Sequence, residues 1–265
     1  MWQKVQGLIM NRTLQFAKRN LIEMARDVLS YIFCIGFPIL MLAVMTLVNE
    51  SIPEDAGMTI FRIDSLSGGI AIFGQTFVML FTALMVSKDR TASFLIRLYA
   101  SPMKSRDFTN GYMLPMLVIS AMQALLAFAV SLVISRIVGY DLKLPGLLAG
   151  LAVLIPSAVF FISIGLICGT LFNDKAAPGI CSLIISLGSF LGGIWFDAEA
   201  AGGVILKISR CLPFIYCTKS IRAAIRLDFG KENFLIPLLV VTAAAALSAI
   251  LASLLFRTKM KADLA

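Results

Sequence analysis

Six long apolar runs separated by charged loops leave this chain one kind of environment to fold in. A run of about 20 apolar residues matches the hydrocarbon core of a bilayer as a helix, and lipid obliges the backbone to satisfy its own hydrogen bonds. The runs are 29–48, 70–87, 113–135, 146–172, 176–196 and 234–256. They predict an all-α membrane protein of six transmembrane helices in one domain spanning residues 1–265. Composition agrees: 59% of residues are apolar and only 14% charged, against roughly a quarter charged in a soluble domain. A cleavable signal peptide is not expected, because the first run is too long and follows a basic, helix-like segment.

Basic residues near span ends set orientation. With the N-terminus inside, Lys4, Arg12, Lys18, Arg19 and Arg26 face the cytoplasm, joined by Lys88, Arg90, Arg97, Lys104, Arg106, Lys175 and the tail residues Arg257, Lys259 and Lys261. That bias predicts both termini inside. The external segment 198–226 is unusually basic, and its charges alternate with Ile205, Leu206, Ile208, Leu212, Phe214, Ile215 and Ile221 around Pro213. Two short helices lying at or dipping into the outer leaflet suit this pattern better than an irregular loop. Cys211 and Cys217 flank Pro213, and a pair of free thiols is favoured over a disulfide there.

The leading segment, 1–28, reads as an interfacial helix. Met10, Leu14, Ala17, Leu21, Met24 and Val28 form an apolar stripe at helical spacing, and Arg12, Arg19 and Arg26 recur every seventh residue on nearly the opposite side. It suits a passive anchor or a docking surface equally. The loop after the second run is the most functional-looking stretch. Asp89 is placed to cap a helix, Phe94, Leu95, Leu98 and Tyr99 share a face, Arg90 and Arg97 share another, and Ser101-Pro102 ends it. This predicts a short basic amphipathic helix over 89–101, shaped to enter a partner's groove.

Ionisable residues are essentially absent from the spans, and the chain has no histidine. That argues against proton-coupled transport and against a metal site. The polar span residues are mild: Gln75, Thr76, Gln123, Ser186 and Ser189 are the candidates for lining a pathway, although such residues more often glue helices together. No phosphate-cradling G-x-x-x-x-G-K-[ST] motif occurs. Nothing resembles the His, paired-carboxylate or metal constellation of an intramembrane enzyme. A passive or ion-coupled carrier or channel is the alternative from the residues alone, but it wants intramembrane charge or a polar pore.

Two stretches, taken in order, carry a resemblance. KDRTASFLIRLYASPMKSRDFTNGYML is similar to the coupling-helix region of the six-span permeases of ABC exporters of the second class. Leu98, Ser101 and Pro102 match its Leu-x-x-Ser-Pro ending, while Ala92 and Ser93 stand where Gly-Thr is usual. SLGSFLGGIWFDAEAAGGVILKISRCLPFIYCTKSIRAA is similar to that family's fifth-span end and re-entrant external hairpin. Gly193, Trp195, Phe196, Pro213 and Arg222 fall at the expected places, with Asp197 where proline is common. The resemblance implies a coupling role for Asp89, Arg90, Ser93, Phe94, Arg97, Leu98, Ser101, Pro102 and the leading arginines. It implies no catalysis and no cofactor on this chain. ATP and Mg would reside on a cytoplasmic ABC ATPase, and a second permease subunit, identical or related, would complete the transporter. The expected setting is a bacterial plasma membrane. The expected cargo is hydrophobic or amphipathic: a drug, a peptide antibiotic or a lipid.

Overall fold

The structure is a computed structural model that describes residues 2–53, 59–92, 94 and 105–262. Every regular element among the described residues is helical. Helix α1 (Trp2–Arg26) stops where Asp27 leaves the helical region (φ −88°, ψ 99°). The Asp27 carboxylate accepts from the Leu29 amide and from Ser30 Oγ at 2.6 Å. That is N-cap chemistry. It separates α1 from α2 (Val28–Ser51) at a point through which the apolar stripe runs unbroken. Within α2 a π turn, Ile32–Gly36, precedes Pro38. The proline has no N–H and crowds the carbonyl four residues back, and a wider turn relieves both problems.

Helix α3 (Ile63–Thr91) is followed by α4 (Ser105–Val138), α5 (Leu144–Leu171) and α6 (Ala177–Leu191). The short α7 (Ala198–Ala201), α8 (Gly203–Cys211) and α9 (Pro213–Arg226) come next. Helix α10 opens with a π turn, Lys231–Leu235, and continues as Ile236–Ala262. Five helices, α2, α3, α4, α5 and α10, are long and apolar enough to cross a membrane. The fifth expected span, 176–196, differs: α6 has only 15 residues, about 22 Å at 1.5 Å per residue, short of a hydrocarbon core of about 30 Å. It ends because Gly193 takes a left-handed conformation (φ 73°) and the chain turns through Trp195. The second span begins earlier than expected, at Ile63 where the apolar run starts at Ile70, because buried partners described below stabilise its polar first turns.

Helix α3 is the axis of the bundle. In its most apolar window 89% of residues are buried, against 17% for α2 and for α10, which form the rim. Its most extensive neighbour is α5, which α10 covers from the other side. Close approach of α3 and α5 depends on Gly165 and Gly169, one turn apart on α5. A Cβ at Gly165 would overlap the Met79 carbonyl oxygen, and one at Gly169 would lie 2.6 Å from that of Ala83. This is small-residue packing of the kind that brings membrane helices together where apolar burial alone gives no preference over lipid. The segment 89–101 lies mostly outside the described residues.

Gly165→Ala is therefore expected to lower the stability of the detergent-solubilised chain by about 1–3 kcal/mol, the usual cost of overpacking. Gly179→Ala on α6, where an added methyl meets nothing within 4 Å, is expected to be neutral or stabilising. Thermal unfolding of the two variants beside the parent checks the pair.

Candidate functional site

The strongest polar constellation among the described residues is built where Arg19 of α1, which packs along α4, reaches the end of α3. Asp89, two residues from the last residue of α3, is only 4% exposed. An isolated carboxylate there would be prohibitively costly. Three donors answer it. Arg19 Nη1 and Nη2 donate to its two oxygens at 2.9 and 3.0 Å, a bidentate fork, and the Tyr112 hydroxyl from α4 donates at 2.8 Å. Charge-assisted bonds of this geometry are the strong ones.

The rest of the node positions those donors. Arg19 is held further by Glu23 at 2.8 Å, and its guanidinium carbon lies 4.0 Å from the Phe94 ring centroid. Burial works to lower the Arg19 pKa, but the hydrogen bond and charge of Asp89, with Glu23, outweigh it and hold the group above its ordinary value. Its positive charge is thus permanent. Asn20, fully buried, donates from Nδ2 to the Gly111 carbonyl at 3.1 Å. Gly111 leaves room for Phe16, which meets Phe108 and Tyr112 edge-on at 5.7 and 5.0 Å. Phe108 stacks on Phe256 of α10 at 6.1 Å. One node therefore ties α1, α3, α4 and α10.

Arg90 turns the other way. Its guanidinium donates to the carbonyls of Gly169, at 3.3 Å, and Thr170, capping the C-terminal end of α5. A cation on those last carbonyls also complements the helix dipole. Consecutive residues on α3 thus clamp opposite neighbours.

The candidates from the sequence distribute as follows. Asp89, Arg19 and Phe94 come together, while Arg90 is directed to the end of α5. Arg12 and Arg26 lie exposed on α1 and take no part in the node. The apolar stripe coincides only in part with the face α1 buries: Leu14 is outward, whereas its members Ala17 and Met24 are inward together with Phe16 and Asn20. In lipid an outward leucine costs nothing, whereas Asn20 needs its partner. Ser93, Arg97, Leu98, Ser101 and Pro102 lie outside the described residues.

In the hairpin, Trp195 meets Phe73 of α3 edge-on at 4.9 Å, Phe196 is exposed, and Pro213 opens α9 in its first turn. Arg222 donates from Nε to the Ser65 carbonyl at 3.1 Å, with its guanidinium beside Gly69 and Gly193. Asp197 accepts from the Glu199 and Ala200 amides and so caps α7, a role proline could not fill. Cys211 and Cys217 are both free, the first exposed and the second buried.

The pathway candidates are not gathered. Gln75 Nε2 donates to the Leu154 carbonyl at 3.1 Å, joining α3 to α5, and Thr76 donates back to Phe73. Gln123 is buried against Gly74, Ser189 is buried, and Ser186 is on the open flank of α6. Sequence reading missed Tyr112, Asn20 and Phe16. Tyr112 abuts the third apolar run, and a polar aromatic at a span boundary was its only signal. It also missed Asp64, which takes Arg226 Nε at 2.9 Å at the other end of α3.

Helices of this length and apolarity, with charge confined to their ends, make a multi-pass membrane protein. The family model for the ABC-2 type transporter matches residues 12–225. The match covers most of the chain, which belongs to that family. It is accordingly the membrane permease component of an ABC transporter, the ATPase being a separate subunit. Comparison with curated proteins finds none that matches.

Tyr112→Phe removes a donor from a buried carboxylate and is expected to cost about 1.5–3 kcal/mol. Lys88→Ala, which loses only a largely exposed contact with Glu23 at 3.6 Å, is expected to change nothing measurable. Chemical denaturation in detergent, followed by tryptophan fluorescence, separates the two.

Proposed function

We propose that this permease belongs to an exporter, moving a hydrophobic or amphipathic substrate (drug, peptide antibiotic or lipid) out of a bacterial cell. Two permease subunits, identical or related, pair with cytoplasmic ABC ATPases that carry ATP and Mg. The ATPase docks on the segment 89–101 and on α1. The single observation that carries the reading is the Arg19–Asp89–Tyr112 node in a chain of this family: it joins α1 to α3 at the point where 89–101 begins.

Mechanically, closure of the ATPases displaces 89–101. Because Asp89 is forked by Arg19, α1 and α3 move together. Arg90 passes the same displacement to the end of α5. A partner can drive such a shift only if it binds the two states with different affinity, and ATP supplies that difference. The residues Asp89, Arg90, Ser93, Phe94, Arg97, Leu98, Ser101 and Pro102 are the proposed docking side. Gly193, Trp195, Phe196, Pro213 and Arg222 are the proposed external side.

A sixth crossing is part of the proposal. In its support, Phe16 of α1, Asp89 of α3 and Phe256 of α10 meet at one end of the bundle, whereas Arg226 of α9 bonds Asp64 at the other. Five long helices alone cannot return the chain to its starting side, so α6 with the hairpin α7–α9 makes the remaining passage. Both termini then lie in the cytoplasm. The mild polarity of the spans and their content of Phe and Met favour an apolar cargo over a sugar polymer or an ion.

The test is co-purification from native membranes, followed by reconstitution with the ATPase so obtained and a fluorescent amphipathic dye as cargo. Dye export is expected only with ATP and the ATPase. Arg19→Ala is expected to keep the ATPase bound yet lower dye exported per ATP by about tenfold, the effect of losing about 1.4 kcal/mol of state-dependent coupling. Dye movement at full rate by the chain alone would sink the proposal.

A further inference from the structure

At the opposite end of the bundle from the Arg19 node, we infer a binding site for a phosphate-bearing anion between the starts of α3 and α5. A cavity of about 420 Å³ opens there, lined by Arg62, Asp64, Tyr140, Asp141, Lys143 and Arg226, among others. Three cations reach it from three separate elements: the approach to α3, the α4–α5 turn and the end of α9.

Its acids do not balance them. Asp64 is buried and already shared by two guanidiniums, Arg226 Nε at 2.9 Å and Arg62 Nε at 3.5 Å. Arg62 Nη2 donates to the Tyr140 hydroxyl at 3.0 Å with its guanidinium carbon 5.5 Å from that ring, and Arg226 Nη2 donates to Ser65 Oγ. These contacts fix Arg226 through Nε and Nη2 and Arg62 through Nη2, with Arg62 Nε at ion-pair distance only from Asp64 Oδ1, and leave each Nη1 uncommitted among the described residues. Lys143 and Asp141 are exposed, and neither forms an ion pair among the described residues.

The helix ends point the same way. Two long helices, α3 of 29 residues and α5 of 28, begin at this cavity. Their N-caps are Arg62 and Lys143, and neither side chain caps an amide. The start of a helix carries free N–H groups and partial positive charge, so a cation is the wrong sign there. Asp64 answers this in the first turn of α3; the first turn of α5 has no acid. An external anion beside Lys143 resolves the conflict. Guanidinium edges and an ammonium arriving from different directions suit a tetrahedral phosphate better than a planar carboxylate, because more acceptor oxygens can be met at once. A phospholipid headgroup and a free phosphate share that chemistry. The site does not depend on the exporter reading; only the side of the membrane it faces does.

The full chain in detergent is tested by native mass spectrometry with phosphatidylglycerol, with diacylglycerol as the control lacking phosphate. A parallel thermal-stability titration uses inorganic phosphate at constant ionic strength. Phosphatidylglycerol is expected to be retained and diacylglycerol lost. Lys143→Gln, which breaks no described side-chain bond, is expected to weaken retention about tenfold, as befits loss of one charge-assisted contact. Arg62→Gln/Lys143→Gln is expected to weaken it further, and Lys207→Gln, exposed on α8, to leave it unchanged. Neutralising Glu54 and Asp55, the acids that precede Thr59 in sequence, is expected to leave retention the same or raise it. Retention without a response to inorganic phosphate identifies a lipid headgroup, and a response to inorganic phosphate identifies a free phosphate ligand. Equal retention in the parent and in Lys143→Gln, loss of retention when Glu54 and Asp55 are neutralised, or binding of neither probe overturns the site.

Discussion

A single buried carboxylate organises one end of this bundle. Asp89 sits on the most buried helix of the chain, and taking its charge out of water demands compensation. The compensation comes from two other helices: a bidentate arginine on α1 and a hydroxyl on α4. That demand ties to α3 a helix, α1, whose main packing is along α4. Its outward face carries Leu14 and Ile22, which lipid accepts as readily as protein does. The polar requirement, with Phe16, Ala17 and Met24 turned inward beside it, settles how α1 is rotated. Asn20 shows the same logic in a neutral group, buried because the Gly111 carbonyl is there to receive it.

The other end of α3 repeats the device with the chemistry rearranged. Asp64 in the first turn is held by Arg226 and Arg62, and the Ser65 carbonyl by Arg222. At 29 residues α3 is about 43 Å long at 1.5 Å per residue, and it is fastened near both tips by ion-paired arginines from elements that are not themselves spans. Between the tips it is lined by Gly165 and Gly169 of α5 and crossed by the Gln75 bond to Leu154. Strong contacts at the ends and close packing along the length make α3 a stiff member, so elements at the two faces share one rod.

How much of this was legible follows from what each signal encodes. Apolar run length reports lipid exposure and helix length, and α2, α4, α5 and α10 fall where the runs are. It does not report polar residues that a helix recruits once partners exist, which is why α3 begins at Ile63 and why Tyr112 belongs to α4 and not to a loop. Nor does it register backbone breaks inside apolar sequence: Asp27, Gly192 and Gly193 end helices through dihedral angles and capping bonds. The Arg12, Arg19 and Arg26 repeat marked a helix face but gave no means of choosing among its members. Only Arg19 faces Asp89, a residue 70 positions away, and no local pattern can reveal such a pairing.

The adjacency of Asp89 and Arg90 has a mechanical consequence. Neighbouring residues on a helix point about 100° apart, so one peptide step carries an acid toward α1 and α4 and a base toward the last carbonyls of α5. A displacement applied just beyond Arg90 cannot move one set of neighbours and spare the other unless a charge-assisted, partly buried bond breaks. Breaking such a contact leaves an uncompensated charge, which typically costs about 3–5 kcal/mol when fully buried and less for the half-exposed Arg19. Against an energy of that size, moving α1, α3, α4 and α5 as one unit is the easier response.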